Sequence, residues 1–187
     1  MLGVIIAIAA FIAACLALFV MIFCIKKKKN GSRKKWILLA LVAVCLVLAF
    51  FAVNRYFNWL QYKVIYSLTS SWEGETYTQG EFQDSTDYGV YTLKNISVKD
   101  NSYFTRITAA DRGKISIYLE DYEDVVLKNL KIQHPDSELA VNYDFDSKII
   151  DTNDYFYLET KGSAMTCYDL WILDTQTQTL YYFHHNI

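Results

Sequence analysis

Two uncharged, apolar runs near the N-terminus limit what this chain can fold into more than any other feature. The first, Leu2 to Ile25, is 24 residues long and rises about 36 Å as a helix, enough for a hydrocarbon core of about 30 Å. The second, Trp36 to Val53, is 18 residues long and reaches about 27 Å, so it spans only with Asn54 to Leu60 near the interface. Tyr56, Phe57 and Trp59 suit that depth, because amphipathic rings favour the headgroup region. The expectation is a two-helix transmembrane hairpin: helix over 1–25, basic loop over 26–35, second helix with an interfacial end over 36–60. A linker over 61–71 and a domain over 72–187 follow.

A cleaved signal peptide opens with basic residues and has a short apolar core, and Leu2 to Ile25 has neither feature. "IAAC" at Ile12 to Cys15 has the shape of a lipoprotein cleavage box, but ten more apolar residues follow Cys15, where a lipoprotein turns polar.

The loop settles the expected orientation. Lys26, Lys27, Lys28, Lys29, Arg33, Lys34 and Lys35 stand against only Arg55, Lys63 and the α-amine on the other side. Lys and Arg in short loops are retained in the cytoplasm, which predicts N-out, loop-in and C-out in a bacterial cell membrane. The domain is then extracytoplasmic; the alternative is a cytoplasmic domain. The same cations attract anionic headgroups. Ala7, Ala10 and Ala14 offer a close-packing face through which the helices could associate as homo-oligomers.

Charge divides the chain. Residues 1–63 carry nine basic and no acidic residues, whereas 64–187 carry nine basic and twenty acidic, a net of −11. Such a field repels phosphates, so no DNA or RNA partner is expected; calcium or a basic partner fits better. Cys15, Cys24 and Cys45 lie in the apolar runs, leaving Cys167 alone in the domain with no disulfide to form there.

Short alternating runs bounded by turn residues predict an all-β domain. "KISIYLED" (114–121) puts Ile115, Ile117 and Leu119 on one face, and "ELAVNYDFD" (138–146) puts Leu139, Val141, Tyr143 and Phe145 inward. Further strands are predicted at Trp72–Thr78, Val90–Val98, Tyr103–Ala109, Val125–Gln133, Tyr155–Thr160, Cys167–Leu173 and Leu180–His185, with "EDYED" (120–124) as a charged hairpin tip. About nine strands with short links favour an antiparallel meander closed into a barrel, with a two-sheet sandwich as the alternative.

The opening strand carries a W-x-G-x-Y pattern, Trp72, Gly74 and Tyr77, the tyrosine one residue late. It is similar to the first strand of small lipocalin-like barrels, in which a Trp plugs one end. With two N-terminal helices ahead of it, the layout resembles the barrel effectors of CBASS antiphage systems. That resemblance implies a cytosolic, ligand-gated barrel that binds a cyclic nucleotide and disrupts the membrane.

Catalytic signatures such as G-x-S-x-G, H-E-x-x-H, a P-loop or C-x-x-C are absent from the sequence, and no cofactor is expected. His184 and His185 are adjacent on the last predicted strand and so point to opposite faces. Asn142, Asp144 and Asp146 alternate on a predicted strand. Asp144 and Asp146 are therefore the candidate calcium ligands, although no regular D-x-D-x-D-G loop surrounds them. Twelve tyrosines lie between residues 67 and 187. Tyr and Trp suit strands and also anchor binding surfaces, so Trp72, Tyr157, Trp171, Tyr181 and Tyr182 are the candidate ligand or partner residues. One sheet face around Trp171, Tyr181 and Tyr182 is expected to meet the ligand. The functional expectation is a membrane-anchored extracytoplasmic module of accessory or immunity type binding a protein or envelope ligand.

Overall fold

The computed structural model describes residues 32–81, 84–161 and 166–186. It divides into two compact units, Met1–Lys63 and Val64–Ile187.

In the first unit, helix α1 is Ser32–Gln61, 30 residues long. It contains the helix expected over 36–60 and begins earlier, so positions 33–35 belong to its first turns and not to the loop. The expected first helix and Lys26 to Lys29 lie outside the described residues. Among the described residues no helix is long and apolar enough to cross a membrane. The C-terminal half of α1 nonetheless leaves Val47, Phe50, Phe51, Tyr56, Phe57, Trp59 and Leu60 exposed.

The expected linker over 61–71 is structured. A single turn, α2 at Lys63–Tyr66, carries the buried Val64 and Ile65. Leu68 and Thr69 are buried too. Here the chain is stitched to the segment after residue 94: Ser97 N–H donates to Leu68 O at 2.9 Å and the Asn101 amide donates to Ser67 O at 3.0 Å. Apolar residues in a short polar stretch were the signal that this segment belongs to the domain.

Among the described residues the domain has six strands: β1 Ser71–Glu81, β2 Asp84–Lys94, β3 Thr105–Arg106, β4 Tyr155–Thr160, β5 Cys167–Asp174 and β6 Thr179–Asn186. They form one antiparallel sheet in the order β1-β2-β6-β5-β4-β3. The sheet is open, which corrects both the closed barrel and the sandwich. Three of the expected strands, 114–121, 125–133 and 138–146, are not strands, so too few remain to close a cylinder and helices cover one face instead.

Local chemistry explains that difference. Thr108 caps helix α3, Ala109–Glu120: its side chain accepts from the Asp111 N–H, while Asp111 accepts from the Thr108 N–H. Ile115, Tyr118, Leu119 and Tyr122 then recur at helical spacing and are buried. Ile117, which strict alternation puts inward, is 55% exposed. The helix continues as a π-helical segment, Asp121–Leu127, and as α4, Lys128–Gln133. The wider turn displaces the next buried position, Leu127, which follows Tyr122 by five residues. In a regular α-helix the buried stripe recurs after three or four. The supposed hairpin tip at 120–124 is thus the start of the π segment, with Tyr122 at its centre. A short helix α5, Glu138–Asn142, and a 3₁₀ turn, Ser147–Ile149, complete the layer.

The core lies between these helices and one face of the sheet. Tyr88, Phe156, Tyr168, Leu170, Ile172 and Phe183 from the strands meet Ile115, Tyr122, Leu127, Leu139 and Phe145. Its tyrosines need acceptors for their hydroxyls, because a buried unpaired hydroxyl costs about 1–3 kcal/mol. Tyr88 donates to Asp144 (2.7 Å), Tyr143 to Glu123 (2.7 Å), Tyr168 to Asp121 (3.2 Å) and Tyr122 to Asp87 O (2.8 Å). Burial, reinforced by those carboxylates, pushes the pKa values of Tyr88, Tyr143 and Tyr168 up, so all three remain protonated donors.

Candidate functional site

The opposite face of the sheet follows from the register. Side chains alternate along a strand, so the neighbours of core residues Leu170 and Phe183 face the other way. Tyr157, Trp171 and Tyr182 are direct cross-strand neighbours in one row of that face. Trp171 and Tyr182 stack at 4.0 Å between ring centroids, and Tyr91 stacks on Trp171 at 6.2 Å. Trp72 meets Tyr91 edge-on at 5.5 Å.

Four of the five aromatic candidates therefore share a face, but Tyr181 does not. It points to the helix side and packs on Phe145 at 4.8 Å, because residues 181 and 182 are consecutive in a strand. Trp171 is largely buried and supports the face from beneath. Tyr157 packs against Tyr103 at 5.2 Å and donates to Glu159 at 2.8 Å.

Two glycines make room for this aromatic layer. A Cβ on Gly89 would lie 2.9 Å from the Tyr91 ring, and one on Gly74 would lie 2.1 Å from Val90 O. The Tyr91 ring covers the gap that the glycines leave, and its hydroxyl reaches Thr76.

Beyond the aromatic row the face turns polar. Thr78, Asp87, His184, Asp169 and Glu159 are successive cross-strand partners from β1 to β4. His184 is the hub. Its Nδ1 lies 2.9 Å from Asp169 Oδ1, its Nε2 lies 3.2 Å from Ser85 Oγ, and Tyr182 donates to the same Asp169 oxygen at 2.7 Å. The carboxylate fixes the tautomer: N–H on Nδ1, and a lone pair on Nε2 that accepts from Ser85. The His184 and Asp169 side chains are 15% and 17% exposed, so the chain of hydrogen bonds is drier than a surface pair yet open at its edge. Asp87, across from His184, has one carboxylate oxygen buried without a hydrogen-bond partner among the described residues.

These contacts set opposing shifts. Burial lowers the His184 pKa, but the hydrogen bond and charge of Asp169, with Asp87 behind them, outweigh it and raise the value; Lys161 opposes weakly. For Asp169, burial raises the pKa, and the bonds from His184 and Tyr182 bring it below its ordinary value. Burial raises Asp87.

Stability follows with a definite sign. His184 has a folded pKa above its ordinary 6.5, so its contribution is complete below that value and is lost as pH rises through the raised one. Asp169 has a folded pKa below its ordinary 3.8, so its contribution is present above that value and is lost as pH falls through the lowered one. Asp87 works in the opposite sense, costing stability as it ionises. The stability difference between the natural chain and His184→Gln, read from urea midpoints, is expected to be largest between about pH 4 and 6.5 and to shrink above. A difference that stays flat from pH 5 to 9 would remove the pair as its origin.

The remaining candidates are occupied structurally. Asp144 accepts from Tyr88, and Asp146 caps the Ser147–Ile149 turn by accepting from the Lys148 N–H at 3.0 Å. Their shared strand does not exist, since α5 ends at Asn142 and residues 143–146 are extended coil. Among the described residues no cluster of His, Cys, Asp and Glu is arranged to hold a metal. A groove of about 360 Å³ lies between α3 and the Ser147–Ile150 segment. Arg112, Lys148, Glu120 and Glu123 in its lining cancel one another's charge.

Ser85, Asp87 and Asp169 were not singled out from the sequence. Their distances along the chain carry no pattern, and only the register of β2, β6 and β5 brings them beside His184. Neither a family model, nor a curated protein, nor a solved structure matches the chain.

Proposed function

We propose that the chain is a membrane-anchored, extracytoplasmic sheet domain that binds a protein or envelope partner presenting basic groups. The observation that carries this reading is the partition of charge: seven cations between two apolar runs, then a domain of −11. Positive charge holds the loop in the cytoplasm, and the acidic domain draws cationic partners and repels phosphates. The exposed Phe50, Phe51, Tyr56, Phe57 and Trp59 of α1 support the anchor, because an apolar helix surface of that kind needs a non-aqueous neighbour.

The antiphage-effector reading calls for a cytosolic domain with a cyclic-nucleotide ligand, whereas the loop charge favours export and a domain of −11 disfavours a phosphate ligand.

Orientation is the decisive measurement. Asp136 is exposed in the turn before α5, and its neighbour Ser137 caps that helix, so Asp136→Cys is the less disruptive reporter. A membrane-impermeant maleimide is expected to label it in intact cells. Labelling only after lysis would place the domain in the cytoplasm and make the effector reading the leading one.

A further inference from the structure

The hydrogen-bond chain on the polar end of the sheet has an order that binding alone does not require. Ser85 Oγ, His184 Nε2, His184 Nδ1 and Asp169 Oδ1 follow one another at 3.2 Å and 2.9 Å, nucleophile to base to orienting carboxylate. That order and those distances define an activated serine irrespective of fold. We propose that Ser85, His184 and Asp169 form an acyl-transfer site acting on an ester or amide.

Each group comes from a different strand, and the sheet holds them rigidly. Asp169 and His184 are direct cross-strand partners. Asp87 is the partner of His184 on its other side, and Ser85 lies two residues from Asp87 on the same face. Tyr182 donates to Asp169 and so pins the carboxylate. Asp169 is thus a positioning residue, and Ser85 and His184 are the groups that meet the substrate. The buried, unpartnered Asp87 oxygen adds negative potential next to the imidazole, which stabilises the imidazolium formed during the reaction. The surrounding acids, Asp87, Asp169 and Glu159, favour a substrate with a positive group near its acyl carbon.

The chemistry balances without a cofactor. Ser85 Oγ adds to the carbonyl carbon as its proton passes to His184 Nε2, and the carbonyl π pair moves to oxygen. Collapse of that intermediate breaks the bond to the leaving group, which takes the proton from Nε2. Water then adds to the acyl-serine, giving its proton to Nε2. Expulsion of Ser85 Oγ, which recovers that proton, releases the acid.

The test uses the full-length chain in detergent micelles with a fluorophosphonate probe, the adduct being mapped by mass spectrometry. Ser85 is expected to carry the phosphonyl group, and Ser85→Ala to lose it. His184→Gln is expected to slow labelling by about 100-fold or more. For the natural chain, labelling should rise with pH as His184 loses its proton in the field of Asp169, Asp87 and Lys161. Asp169→Asn should both slow labelling and displace that pH profile, which loss of packing alone would not do. No Ser85 adduct between pH 6 and 9, with circular dichroism showing the chain folded, overturns the proposal. So does an adduct whose rate is indifferent to His184→Gln. Both outcomes leave the maleimide result on orientation untouched.

Discussion

Gly74→Ala is expected to cost about 3 kcal/mol or more and to loosen the β1–β2 hairpin. The added Cβ would stand 2.1 Å from Val90 O and 2.7 Å from Tyr91 Cα. Both are backbone atoms of the partner strand and cannot swing aside as a side-chain tip could. The φ of Gly74, 157°, is also one that residues with a Cβ seldom adopt. Because Trp72 and Trp171 flank Tyr91, urea unfolding followed by tryptophan fluorescence reads the change directly. A loss below about 1 kcal/mol would mean that β1 can slide away from β2 at little cost, and that the close approach is incidental.

Phe183→Ala should be at least as damaging, by about 3–5 kcal/mol, for a different reason. Its ring is fully buried and lies within 4.9–6.5 Å of the rings of Tyr88, Tyr122, Tyr143 and Phe145. Truncation leaves a cavity where sheet, π segment and the 143–145 coil converge. Those four neighbours come from three separate elements, so no single shift closes the hole. Phe183→Leu, which keeps most of the volume, should cost far less. Equal losses for the two variants would show that ring geometry, and not filled volume, is what the site requires.

The sequence was most legible where one face of a strand is buried and the other half-open. Tyr155–Thr160, Cys167–Leu173 and Leu180–His185 match β4, β5 and β6 closely, and the opposed directions of His184 and His185 followed from period alone. It was least legible at 109–133. There Ile115, Ile117 and Leu119 mimic alternation, and the helical spacing of Ile115, Tyr118, Leu119 and Tyr122 is the pattern that the fold uses. Thr108 with Asp111 was the available correction, a cap three residues apart from its partner. The π segment then hides the continuation, since its extra residue throws Leu127 off the regular count.

The candidate site was half legible for a related reason. Aromatic residues announce a packed or contacting face by composition, which is how Tyr157, Trp171 and Tyr182 were found. Nothing in composition distinguishes Ser85, Asp87 or Asp169 from the other serines and acids. Their relationship is one of strand pairing across nearly the full length of the domain, and Tyr181 shows the converse: next to Tyr182 in sequence, it lies on the opposite side of the sheet.

The tyrosine hydroxyls that end on Asp121, Glu123 and Asp144 bear on how the domain could be redesigned. Those three acids serve as internal acceptors, and an acceptor need not be an anion. Carboxamides at these positions could keep an oxygen for each hydroxyl while draining three negative charges, whereas lysines there would leave the tyrosines stranded. The domain's net acidity and the oxygens that hold its interior together are therefore separable properties. A less acidic version of the domain, at −8 in place of −11, is structurally accessible provided these three positions are changed to asparagine and glutamine.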